Sequence, residues 1–312
     1  KHSPVTRAVE RHLARMQRQA AALQFRACPP AFDGAILAIA GSAHETRSAD
    51  GRSIGAASGL LAGQVPALLR ERFVLPPGAA SVPDATLKYL LVLRLALARA
   101  DISLCATANV STLLTLLRLH AEHHEALVED LRVGGFHRAA ELPAALRAEL
   151  APRLVAMPAR AAMLARLGAQ ATLGALWPRL AAVAVWTGGS AGVGLARLRA
   201  ALAPDCRILE LGYLASECRA TLTLGRRAGA GLPTLDGNFF EFAERDAWDA
   251  GERRLMTLDA LRKGHEYYVV ITTQGGLYRY FINDLVRVTG HLGRTPLLRF
   301  VQKGRGVTSL TG

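Results

Sequence analysis

Through the first two thirds of the chain, apolar residues recur at the three- and four-residue spacing of helices, and short runs of continuous hydrophobic sequence interrupt them. Residues 5–23 show this spacing among arginines, and Asp84 stands where it can cap a helix through Leu87, Leu90 and Leu93. The runs 35–40 and 102–106 have the length of buried strands. After the second come Ala108-Asn109-Val110-Ser111, where Ser111 is a natural N-cap for a helix over 112–127. A strand that feeds a helix is the unit from which parallel sheets are made. Two more such strands are expected at 181–186, ending in Thr187-Gly188-Gly189-Ser190 before a helix near Gly194, and at 207–211, leading into Gly212-Tyr213-Leu214-Ala215-Ser216-Glu217.

Beyond that loop the texture changes. Segments 219–224, 239–242, 267–272, 278–281, 285–288 and 297–301 are strand-like, with glycine and proline turns between them. The fold class is therefore α/β, with helices packed on mixed sheets and a β-rich last third. No repeat or linker separates the parts, so residues 1–212 and 213–312 are expected to be subdomains of one unit.

Composition sharpens this in two places. Hydrophobic residues make up 51% of the 312 and aromatics 6%, so the core must be built from Ala, Leu and Val. The formal charge of +13 comes from arginine, since Lys1, Lys88, Lys263 and Lys303 are the only lysines. Those arginines are scattered, as at Arg147, Arg153, Arg160 and Arg166, which reads as solvated helix faces rather than a nucleic-acid surface. Cys28, Cys105, Cys206 and Cys218 stand too far apart for a C-x-x-C pattern and read as reduced thiols in a cytoplasmic protein. No run of about 18 uncharged apolar residues suggests a membrane span.

Ligands of open α/β sheets sit beyond the carboxyl ends of the strands, and two loops qualify. Gly188-Gly189-Ser190 offers backbone to a flat ligand, or is simply a strand-to-helix turn. Tyr213 to Glu217 brings together a ring that can stack on a base, a hydroxyl for a phosphate oxygen and a carboxylate for magnesium, or is a capped turn. A third constellation runs from Gly275 to Asp284. Its aspartate can accept from both cis-hydroxyls of a ribose, or Asn283-Asp284 makes a hairpin turn. His120-Ala121-Glu122-His123-His124 lacks the H-E-x-x-H order and reads as a solvated helix face.

Together, Tyr213-Leu214-Ala215-Ser216-Glu217 and Tyr278-Arg279 followed by Asp284 resemble the second and third nucleotide motifs of the acyl-acid amido synthetases, the auxin-responsive family within the luciferase-like adenylate-forming superfamily. Further segments carry the likeness along the chain: Leu87-Lys88-Tyr89-Leu90-Leu91, Asn109-Val110-Ser111-Thr112-Leu113-Leu114, Asn238-Phe239-Phe240-Glu241-Phe242 and Val286-Arg287-Val288-Thr289-Gly290. Lys1-His2-Ser3-Pro4-Val5-Thr6 resembles the tail of the family's first motif, and Ser309-Leu310-Thr311-Gly312 a segment that leads into its small C-terminal domain. The resemblance implies an incomplete large N-terminal domain, not competent alone for the full reaction.

It also implies roles. Tyr213 lines the adenine pocket, with Gly188, Gly189 and Ser190 as its backbone wall, and Ala215 is among the nucleotide-binding residues. Ser216 lies by the α-phosphate, Glu217 holds magnesium and Asp284 binds the ribose. A basic residue about twenty positions after that aspartate contacts the ribose as well, and both Lys303 and Arg305 stand near that place. Asn283 replaces a glycine of many relatives, which its tolerance of left-handed backbone allows.

The expected activity is a ligase reaction with ATP and Mg²⁺, in which a carboxylic acid becomes acyl-AMP and is transferred to an amine such as an amino acid. The competing readings are an acyl-CoA ligase, an arginine-rich nucleic-acid-binding module and a non-catalytic relative.

Overall fold

A computed structural model of the protein describes residues 5–42, 46–51, 53–56, 59, 67–189, 192–224 and 229–305. The chain forms two compact units, interleaved in sequence. One comprises Cys28–Val185 and Gly194–Ile208; the other comprises Lys1–Ala27, Trp186–Val193 and Leu209–Gly312.

The first unit holds most of a four-stranded sheet. Its strands are β1 (Ala35–Ile39), then, past a short pair β2 (Thr46–Arg47) and β3 (Ser53–Ile54), β4 (Ile102–Thr107), β5 (Ala182–Val185) and β6 (Arg207–Glu210), in the order β1-β4-β5-β6. β1 pairs with β4, and β4 with β5, in parallel. All four residues of β5 are buried, as expected where helices cover both faces of a sheet. The apolar runs at 35–40, 102–106 and 181–186 thus fold as the pattern suggests.

The helix Ala85–Leu97 begins where Asp84 accepts from the Leu87 amide at 2.6 Å. It is buried on almost every side by Leu87, Leu90, Leu91, Leu93 and Leu97, so it forms the centre of this core rather than its wall. Arg94 lies within it, fully buried. Its guanidinium donates to the carbonyls of Gly135 at 2.8 Å and of Asp130 and Val155 at 3.2 Å. Arg160 caps the same helix, donating to the Leu97 carbonyl at 2.8 Å and to the Leu176 carbonyl at 2.7 Å. Arg160 is therefore not on a solvated face: it is buried, because an arginine can satisfy several helix-end carbonyls at once.

Two other expectations change. The helix expected over 112–127 is two helices, Val110–Glu122 and His124–Val133, broken at His123. Asn109, not Ser111, holds the N-cap position. His120 is buried rather than solvated, 3.1 Å from the Ala169 carbonyl, and burial pushes its imidazole below the usual histidine range. Among the described residues no helix is long and apolar enough to cross a membrane.

The second unit is built on a six-stranded antiparallel sheet. Its strands are β7 (Thr221–Thr223), β8 (Gly231–Pro233), β9 (Asn238–Glu244), β10 (Glu266–Thr273), β11 (Tyr280–Leu292) and β12 (Thr295–Lys303), ordered β7-β8-β12-β11-β10-β9. One face buries Phe240, Phe242, Tyr267, Val286, Val288 and Leu298; the other carries a smaller group around Tyr268 and Leu285. The segments 278–281 and 285–288 belong to one long strand, so Asn283-Asp284 is no hairpin turn. It is a bulge: residues 282–284 of β11 stand opposite only Val269 of β10, and Asn283 has φ +63°.

Replacing Arg94 with Met should leave the Gly135, Asp130 and Val155 carbonyls without this donor and lower stability by about 3 kcal/mol. Calorimetric unfolding would check this; a change within a few tenths of a kcal/mol would show that the guanidinium contributes little.

Candidate functional site

The alternation of β11 settles where Asp284 points. A strand alternates faces with period two, so Asp284 shares the inward row of Val286 and Val288, and its carboxylate lies buried in the sheet face. A second irregularity, in β12, supplies its partner. Asp284 pairs with Lys303 and Val286 with Phe300, and the slip between them skips one residue of β12. Without the slip, Phe300 and Lys303 would face opposite sides of the sheet. With it, Lys303 forms a short ion pair with Asp284 while Phe300 stacks on Tyr213, ring centroids 5.4 Å apart and planes 25° apart.

Tyr213 completes the group. Its ring is buried and its hydroxyl donates to Asp284 Oδ2 at 2.6 Å, joining segments 71 positions apart. After it the chain makes a tight reversal: the Ala215 amide donates to the Cys218 carbonyl at 2.9 Å, Leu214 bridges Arg219, and Ser216 and Glu217 stand at the tip, Ser216 exposed. A tight turn and the middle of a strand, far apart in sequence, therefore converge.

The electrostatics are those of a crowded, dry carboxylate. Burial raises the Asp284 pKa above the usual aspartate range; Lys303 and the Tyr213 hydroxyl pull it back, and the nearby Glu217 charge pushes it up again. Burial, and then Asp284, raise the Tyr213 phenol well above its ordinary value. Glu217 thus lies close enough to both to be felt.

The glycine loop belongs to the same unit. A Cβ on Gly188 would sit 3.2 Å from the Phe300 carbonyl oxygen, and one on Gly189, where φ is +63°, would sit 3.1 Å from the Phe300 ring. Only glycine lets the main chain run this close to the ring that covers Tyr213. Ser190 lies outside the described residues, as do 1–4 and 309–312. Arg305 goes elsewhere: it is mostly exposed, its Nε 3.3 Å from Asp249 Oδ2. Lys303, not Arg305, is therefore the basic residue on Asp284. Tyr278 is exposed, and Arg279 makes a two-pronged pair with Glu241 at 2.9 Å.

Sequence reasoning missed Glu210. It is the last residue of β6, and its carboxylate takes the Thr187 amide at 2.6 Å, the Thr187 hydroxyl and the Gly212 amide at 3.1 Å. Burial raises its pKa, and these donors oppose the rise. The one available signal was a carboxylate closing an apolar strand just before Gly212-Tyr213.

Family models for the GH3 family N-terminal domain and the GH3 family central domain match residues 1–207 and 231–303 respectively. The chain belongs to the GH3 family. Among its relatives, the probable indole-3-acetic acid-amido synthetase GH3.1 of Oryza sativa subsp. japonica is 27% identical over 223 residues, 66% of this chain and 35% of that protein. Indole-3-acetic acid-amido synthetase GH3.8 of Oryza sativa subsp. indica is 33% identical over 107 residues, 31% of this chain and 17% of that protein. The solved structure of the AtGH3.15 acyl acid amido synthetase in complex with 2,4-DB superposes with a TM-score of 0.85 at 19% identity, over 99% of this chain and 55% of that one. A 2-hydroxyisobutyryl-CoA ligase gives 0.52 at 15% identity, over 97% and 49%. The chain thus shares the fold of these two solved structures, and its matches span between 17% and 55% of the length of these four proteins.

Replacing Lys303 with Met should strip Asp284 of its cation and raise its pKa further. A raised folded-state pKa means stability is present at acid pH and lost as pH climbs through that value. The variant should therefore be weakened most near neutral pH and little below about pH 4, where Asp284 is protonated in both states. Urea unfolding at both pH values checks this, and equal losses would contradict the buried-carboxylate account.

Proposed function

We propose that the protein uses ATP to convert a carboxylic acid into acyl-AMP and passes the acyl group to an amine, an amino acid, forming an amide. The observation that carries this reading is the bond from the Tyr213 hydroxyl to Asp284, because it joins the two segments that resemble nucleotide motifs. Membership of GH3, whose relatives are named as indole-3-acetic acid-amido synthetases, supports an amide product and an aryl or indolyl acid.

In this reading Asp284 accepts from the ribose hydroxyls. A carboxylate offers about four lone-pair directions, of which Tyr213 and Lys303 use two. Access runs past Lys303, whose side chain is 35% exposed and turns on a flexible stem, whereas Asp284 is almost fully covered. Lys303 moves from the aspartate to the ribose edge. The Tyr213 ring and Ala215 line the adenine, with the backbone of Gly188, Gly189 and Ser190 as the facing wall, and Ser216 donates toward the α-phosphate.

Glu217 suits Mg²⁺, an ion that takes one or two carboxylates and completes its shell with water and phosphate oxygens. It stands at the tip of the reversal, beside an exposed hydroxyl. When bound, Mg²⁺ supplies charge neutralisation on the phosphates. The substrate carboxylate attacks the α-phosphorus in line and pyrophosphate leaves; the amine then attacks the acyl carbon and AMP leaves. No side chain acts as nucleophile. The residues act by holding the ribose, base and α-phosphate in line for attack.

Two measurements test this. ATP–pyrophosphate exchange by the full-length protein, with a panel of aryl and indolyl acids, should appear with at least one acid and fall at least about a hundredfold in Asp284→Ala. Exchange with none of them would count against the reading. Nucleotide affinity should also depend on pH. Ribose donors favour the ionised carboxylate, and the free protein holds Asp284 above its ordinary value. AMP binding should therefore weaken as pH falls through that raised value, at a higher pH than for an ordinary aspartate. Calorimetric titration reads the slope; a flat profile in wild type would remove Asp284 from the ribose.

A further inference from the structure

The nucleotide reading sets a base between the Tyr213 ring and the backbone of Gly188 and Gly189, and in the free protein a side chain already stands there. Tyr213 is only 7% exposed, too little for a base to stack on it. What covers it is Phe300, with ring centroids 5.4 Å apart and planes 25° apart. The Cδ1–Cε1 edge of the same phenyl ring runs along the glycine loop. A Cβ on Gly189 would sit 3.1 Å from Cε1 and 3.6 Å from Cδ1, and one on Gly188 would sit 3.8 Å from Cδ1. One ring thus touches both surfaces that the reading gives to the base.

A phenyl ring and a purine ask the same of such a place. Each presents a flat π-face that stacks offset on a phenol, and each accepts close backbone at its edge where glycine leaves out a side chain. Phe300 is also able to leave. It is only partly buried and stands near the end of β12, where the register against β11 slips between Phe300 and Gln302 and the ladder is already interrupted. Lys303, three residues further on, covers Asp284 in the same manner. The end of β12 therefore places a cation where the ribose is read and a ring where the base is read.

We propose that Phe300 is an internal competitor for the base: its ring occupies the base position on Tyr213 in the free protein and is displaced when a nucleotide binds. This rests on the nucleotide reading above and adds to it the group that the base must replace. A nucleotide wins because it restores the stack on Tyr213 and brings ribose and phosphate contacts that a phenyl ring lacks. Binding is weakened in proportion to how seldom the ring stands aside, and an aromatic stack shifts that proportion by about two- to tenfold.

The test is calorimetric titration of the full-length protein with AMP, in wild type, Phe300→Ala and Phe300→Leu. Phe300→Ala should bind AMP about fivefold more tightly than wild type, and Phe300→Leu, which fills part of the place but cannot stack, about twofold. The sign decides the matter. A phenylalanine that merely packs the sheet, or that serves as a platform for the base, loses affinity when truncated, so unchanged or weaker binding in a folded variant overturns the proposal. Should Phe300→Ala fail to fold, Phe300→Leu decides on the same criterion. Ribose 5-phosphate, measured by competition with AMP, carries no base and should bind wild type and variant alike. An equal gain for it would mean that truncation opens the way to Asp284 rather than the base position, and would also overturn the proposal. Asp284→Asn separates the two layers of the argument, since it should weaken AMP. Wild-type affinity in that variant would overturn the nucleotide reading itself, whereas weakened binding there with no tightening in Phe300→Ala would overturn the role of Phe300 only.

Discussion

A carboxylate buried in the face of a β-sheet has to be satisfied, and the second unit of this protein is organised around doing so for Asp284. Burial favours its neutral form; a lysine and a phenol hold it toward the charged one. Removing either partner leaves an uncompensated polar group inside packed aromatics, which is far more costly than an exposed one. That demand ties three separate stretches together. Tyr213 comes from the loop after β6, Asp284 from the middle of β11 and Lys303 from the end of β12.

One backbone irregularity makes the meeting possible. The slip in β12 turns Lys303 to the side of the sheet that Phe300 already occupies, while the bulge at 282–284 keeps the alternation of β11 and leaves Asp284 in the row of Ile282 and Val286. Such irregularities cost ladder hydrogen bonds and tend to persist where they re-aim a side chain toward a site. Asn283, the one non-glycine residue of the bulge with positive φ, tolerates that backbone better than most residues. On our reading the same arrangement serves the nucleotide: the group that satisfies Asp284 in the free protein is flexible on one side, at Lys303, and rigid on the other, at Tyr213.

What could be read from the sequence follows from the range of each interaction. The strands at 35–39, 102–107 and 182–185 were legible because a strand covered on both faces is a short, unbroken apolar run, and Asp84 was legible because an N-cap acts within three residues. The nucleotide-motif segments were legible as a resemblance, and the spacing to Lys303 and Arg305 narrowed the cation to two residues. Three things were not. The break at His123 has no proline or glycine to mark it, the burial of Arg94, Arg160 and His120 depends on carbonyls far along the chain, and the bulge at Asp284 imitates a turn in local sequence. Glu210 escaped notice because its three donors lie on two loops that only the sheet brings together.

The most direct measurement compares binding of ATP with binding of its 2′,3′-dideoxy analogue, in wild type and in Asp284→Asn. If Asp284 grips the ribose, wild type should lose at least about tenfold in affinity for the analogue, and the variant should bind the two nearly alike. Equal affinity in wild type would mean that the buried aspartate holds this sheet together and does nothing for a nucleotide.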